Sequence, residues 1–165
     1  MYAKVLWPTD GSWQAEVALH EALKVLSPGG YLLAFHCKEH LSGSGEWSPG
    51  PTLPDEGDRI VALRAEVTQL QNEGFGVVLR VMMPRNSLVE EIVRAAEIHD
   101  VDVIFCGTRG FGAATGGGTV ARHLPGLAPC PVMLVSERAA ERSRQAAAAP
   151  RESGAWVVHR SATTS

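Results

Sequence analysis

At 165 residues the chain has the length of one domain, with room for a tail. It is 45% hydrophobic and 20% charged with a formal net charge of −3, which suits a globular core and excludes a basic field for nucleic acid. No apolar run approaches the roughly 20 residues of a membrane helix, and "MYAKVLWPTDGS" lacks a signal peptide's long apolar core; no membrane partner and a cytoplasmic location are the expectations.

"AKVLWP" (3–8) reads as a first buried strand, stopped by Pro8. After "TDGS", Ala15, Ala18, Leu19, Ala22, Leu23 and Leu26 follow one helix face, and "SPGG" ends that helix. "YLLAFHC" (31–37) is a second strand, and the Gly-, Ser- and Pro-rich stretch 41–57 reads as a long loop. Ile60, Leu63, Val67 and Leu70 mark a second helix, followed by a strand at 77–82. Ser87 and Glu90 have capping-box spacing for a third helix that buries Leu88, Ile92, Ala95 and Ala96. "VDVIFCG" (101–107) is a fourth strand, a short helix near Val120–Leu124 is checked by Pro125, and "PVMLV" (131–135) is a fifth strand.

Strands that are almost wholly apolar and alternate with helices predict an α/β fold, an open five-stranded parallel sheet with helices on both faces in a Rossmann-like three-layer arrangement. Helices on both faces require the winding to reverse once, and ligands bind at the carboxyl ends of the strands flanking that reversal. If the first and fourth strands are neighbours, "PTDGS" and the loop after the fourth strand line one crevice. The core domain is read as 1–136 and the alanine-rich, charged segment 137–165 as a tail or arm; its "WVVH" suits an edge strand or a partner contact.

Three cysteines at wide spacing give no disulfide framework, and Cys37 and Cys106 lie in or beside apolar runs as small core residues. His36 and His40 sit four apart at a strand end rather than on a helix face, so no metal site is read there.

The loop after the fourth strand, "GTRGFGAATGGGT" (107–119), has glycine at six of its thirteen positions. Ordering each glycine costs about 0.5–1 kcal/mol more than alanine. Either this is a slack surface loop, or its backbone N–H groups, leading into a helix N-terminus, make an anion site whose charge-assisted hydrogen bonds of about 1.5–3 kcal/mol each would offset that cost; its position between a buried strand and a helix favours the anion site. The loop is no Walker A, since no lysine follows Lys38, and "PTDGS" is no dinucleotide fingerprint.

"KVLWPTDGSWQAEVALHEAL" together with "GTRG…GGTVARHLPGLAPCPVMLV" resembles the universal stress protein family over about residues 2–136. Nucleotide-binding members carry Gly-x-x-Gly, nine residues, then Gly-Ser or Gly-Thr; this chain has Gly107-Thr108-Arg109-Gly110 and then Gly118-Thr119, with seven residues between. The resemblance implies an adenine nucleotide alpha hydrolase-like fold holding ATP, AMP or another adenine nucleotide, with Mg²⁺ where ATP is bound. Pro8, Thr9 and Asp10 would line the adenosine end, and Cys37 matches a residue that touches adenine. Gly107 and Gly110 would lie at ribose or phosphates, Gly118, Thr119 and Val120 at the phosphates, with Arg109 inside the motif. Asp10 can also be read as a cap of the first helix.

The resemblance further implies a homodimer through the last strand, with Val132, Met133 and Leu134 as contacts, and a regulatory protein with an unidentified protein partner. No nucleophile–base pair stands out, so no dedicated catalysis is expected, although slow ATP hydrolysis is compatible with the site. "PTDGS" is not the "SGGxDS" of ATP pyrophosphatases, and the acidic pair and lysine of a receiver domain are missing. A dimeric scaffold without nucleotide is the alternative, on the shortened spacing.

Overall fold

The computed structural model describes residues 1–38, 55–109 and 118–136, and beyond them 138, 139, 141, 142 and 145. Among the described residues up to 136, five strands and four helices alternate: β1 (Tyr2–Pro8), α1 (Trp13–Val25), β2 (Leu26–Cys37), α2 (Glu56–Asn72), β3 (Gly76–Met82), α3 (Leu88–His99), β4 (Val103–Gly107), α4 (Thr119–Leu127) and β5 (Val132–Val135). All pairings are parallel, and the order is β3-β2-β1-β4-β5. The chain winds outward from β1 to β3, then returns across the sheet to β4 on the other side of β1. The reversal therefore lies between β1 and β4.

Strand periodicity divides the core into two layers. Val5, Trp7, Ala34 and Phe105 pack against α1 and α2, whereas Leu6, Phe35, Cys37 and Cys106 pack against α3 and α4. With both sheet faces covered, the inner strands are apolar at nearly every position, which is why they read as continuous runs.

Four local readings are corrected. "SPGG" does not end a helix; α1 stops at Val25, and these residues lie in the first half of β2. Tyr2 pairs with Leu26 and Lys4 with Tyr31, so β2 carries three more residues than β1 between those pairs, and they bulge from the ladder. Leu88 is 37% exposed, while Val89 is buried. The buried stripe runs Val89, Ile92, Ala96 at helical spacing, and Leu88 is rotated off it.

The capping box is only half formed. Ser87 Oγ accepts from Glu90 N–H at 3.3 Å, but the buried carboxylate is that of Glu91, whose Oε1 accepts from Arg85 N–H (3.0 Å) and Asn86 N–H (3.2 Å). Pro125 lies inside α4, and the helix runs on to Leu127. One missing N–H does not end a helix anchored by the fully buried Leu124.

Candidate functional site

The adjacency of β1 and β4 brings together the carboxyl ends that sequence reasoning required to be neighbours. The loop after β1 is internally cross-braced. Thr9 Oγ1 accepts from Gly11 N–H (3.1 Å), Asp10 Oδ1 from Ser12 N–H (2.9 Å), and Ser12 Oγ from Ala15 N–H (3.3 Å). Gly11 has φ +77°, a left-handed conformation that gives this loop its sharp turn into α1. The N-cap of α1 is thus Ser12, and Asp10 makes an Asx-turn instead of capping the helix. Thr9 is buried, while Pro8 and Asp10 are half-buried at the rim.

β4 ends against this loop. A Cβ on Gly107 would sit 2.8 Å from the Gln14 carbonyl oxygen and 3.0 Å from its carbon. Gly107 thus has a packing role at the contact of β4 with the first turn of α1. The Cys106 thiol is pushed up to about 12, mainly by burial, with the Asp10 carboxylate adding to the effect.

The two ends of the glycine loop meet. Gly118 N–H donates to the Thr108 carbonyl at 3.0 Å, and Thr108 N–H donates to the Val135 carbonyl at 3.2 Å. Thr119 opens α4, and the N-cap Gly118 has no side chain to cap the first-turn N–H groups. Arg109 and Thr119 are exposed; Gly107, Gly118 and Val120 are half-buried. Gly110 and residues 111–117 lie outside the described residues, as do His40 and "WVVH".

Cys37 closes β2, buried beside Leu6, Phe35 and Val89. Burial, and secondarily the Glu91 carboxylate, push its thiol up to about 12, so it offers a neutral, apolar surface. Among the described residues no group of three or more His, Cys, Asp or Glu could hold a metal ion. No helix among them is long and apolar enough to cross a membrane.

Sequence reasoning missed two residues beneath the loop. His36 and Glu56, 0% and 1% exposed, form a buried pair: His36 Nδ1 lies 2.8 Å from the Thr9 carbonyl, and Nε2 lies 2.5 Å from Glu56 Oε1. Nothing local in the sequence joins a strand end to the first residue of α2, twenty positions on.

The sheet order and the reversal between β1 and β4 define an open, doubly wound α/β domain. The chain belongs to the Universal stress protein family, whose sequence profile matches residues 1–136. Solved structures with the same fold include the hypothetical protein MJ0577, at 26% identity and TM-score 0.55 over 83% of this chain and 97% of that one. A universal stress protein from Archaeoglobus fulgidus, solved in complex with dAMP, is 22% identical with TM-score 0.55 over 81% and 97%. An Arabidopsis thaliana family protein, solved with AMP bound, is 17% identical with TM-score 0.55 over 84% and 94%. No curated protein matches the chain by sequence.

Proposed function

We propose that this protein binds an adenine nucleotide, ATP with Mg²⁺ or AMP, between the Pro8–Ser12 loop and the start of α4, as a non-catalytic, cytoplasmic stress-response regulator. The observation that carries this reading is the adjacency of β1 and β4, which sets both loops at one switch point. The groups fit the ligand's chemistry: Asp10 can accept from a hydroxyl or amine, and first-turn N–H groups at Thr119 and Val120 suit phosphate oxygens. Cys37 would face adenine, with Gly107, Arg109 and Gly110 toward ribose and phosphates. The dAMP and AMP bound by the two family structures support the same class of ligand.

The regulatory unit is a homodimer through β5, a sheet-edge strand whose Met133 and Leu134 are 48% and 41% exposed. Val132 packs inward, so Met133 and Leu134 offer the larger contact. Met133→Glu should convert a dimer to a monomer in sedimentation; an unchanged mass would move the interface elsewhere.

A second reading, a dimeric scaffold without nucleotide, is favoured by the seven residues between Gly110 and Gly118. The deciding experiment denatures freshly purified protein and identifies released nucleotide by mass spectrometry. Near-stoichiometric ATP, ADP or AMP supports the binding reading. An empty protein whose melting temperature is unmoved by ATP with Mg²⁺ or by AMP establishes the scaffold.

A further inference from the structure

The buried His36–Glu56 pair lies directly under the proposed adenosine loop, and its hydrogen bonds have a fixed direction. A carbonyl oxygen only accepts, so the contact of Nδ1 with the Thr9 carbonyl at 2.8 Å requires the proton on Nδ1. Nε2 lies 2.5 Å from Glu56 Oε1, where two lone pairs cannot face one another. One proton therefore lies between them. The hydrogen-bond chain runs from the first turn of α2, through the imidazole, to the backbone of β1's loop.

Thr9 is held from three directions. Its N–H donates to the Phe35 carbonyl at 2.9 Å, its carbonyl accepts from His36, and its hydroxyl oxygen accepts from Gly11 N–H. With both backbone groups tied to β2, the Thr9 peptide cannot rotate without breaking the imidazole bond. The next residue is Asp10.

Glu56 Oε2 is buried without a hydrogen-bond partner. Among the described residues the carboxyl group is held through His36, at the standing cost of one unsatisfied oxygen. An apolar side chain would fill the same space without that cost, and would leave the imidazole unoriented.

We propose that His36, oriented by Glu56, is the positioning residue of the nucleotide loop: the imidazole fixes the Thr9 peptide and thereby the direction in which Asp10 meets the ligand. The inference rests on the nucleotide reading of that loop. It adds a buried residue from α2 to the determinants of affinity, although Glu56 touches no ligand. A carboxyl group that orients a histidine through its second nitrogen parallels the partners of metal-ligating histidines, whose loss weakens metal affinity or activity about 10–100-fold.

The test uses the full chain, with AMP as the probe. Glu56→Gln can donate an amide N–H to Nε2 and leave Nδ1–H on Thr9. Glu56→Met has similar length but no donor. AMP affinity is measured by calorimetry, imidazole tautomer by ¹⁵N spectroscopy, and amide exchange at Gly11, Ser12 and Val103–Gly107. E56Q should bind AMP within about threefold of wild type and keep the Nδ1–H tautomer. E56M should bind at least about tenfold more weakly, with faster exchange at Gly11 and Ser12 and none of that increase in β4.

E56M with wild-type affinity and wild-type loop exchange would overturn the proposal, as would an Nε2–H tautomer of His36 in the wild-type protein. Should E56M fail to fold, E56Q decides: affinity about tenfold weaker with the loop still protected counts against positioning. If wild-type protein binds no AMP or ATP, the nucleotide reading fails. The exchange rates of Gly11 and Ser12 then still report whether Glu56 and His36 hold the loop.

Discussion

Gly107→Ala tests how closely the crevice is built. The new Cβ would lie 2.8 Å from the Gln14 carbonyl oxygen, 3.0 Å from its carbon and 3.1 Å from its Cβ. Comfortable separation for such atoms is about 3.5 Å, so β4 and the first turn of α1 must part by roughly 0.7 Å. Two of the three atoms are backbone in a capped helix, so no rotamer change relieves the clash. Overpacking of this kind costs about 1–3 kcal/mol. Restricting the unfolded chain returns about 0.4–1 kcal/mol, leaving a net destabilisation of up to about 2.6 kcal/mol. At about 4 °C per kcal/mol for a domain of this size, the midpoint should fall by up to about 10 °C. Gly126→Ala is the control, because nothing lies within 4 Å of its added Cβ in α4; it should stabilise by up to about 1 kcal/mol. Thermal unfolding by circular dichroism reads both. A Gly107→Ala midpoint above wild type would refute the close approach of α1 to β4.

Three further outcomes are expected. Glu91→Ala should destabilise by about 1–3 kcal/mol in urea, because Arg85 and Asn86 lose their acceptor, while Glu91→Gln keeps an acceptor oxygen and should lose less. Ser12→Ala, which removes the N-cap of α1, should cost about 1 kcal/mol by the same assay. Iodoacetamide at pH 8 should modify the half-buried Cys130 well before Cys37 or Cys106, whose folded thiols ionise near pH 12; mass-spectrometric mapping reads the order. Those two thiols ionise at about 9 when unfolded, so the folded state holds more protons between pH 9 and 12. Stability should therefore fall as pH rises through that window, and be insensitive to these thiols below it.

Much of the architecture was legible because local patterns report local environment. Apolar runs such as "YLLAFHC" marked strands covered on both faces, and Leu63, Val67 and Leu70 marked the buried side of α2. Errors arose where a neighbour decided the outcome. Leu88 is apolar yet off the buried stripe, and "SPGG" carries turn chemistry yet bulges within a strand held by β1. Asp10 and Ser12 are both competent caps, and the turn at Gly11 decided that Ser12 takes the role.

By itself the sequence determined the element order and the family, because these depend on residue type and spacing along one chain. Only the tertiary structure decided that β1 lies beside β4, that Gly107 meets the backbone of Gln14, and that Glu56 reaches His36 beneath Thr9. Each is a contact between segments distant in sequence. Its distance and hydrogen-bond direction follow from how the layers pack, and no local pattern encodes them.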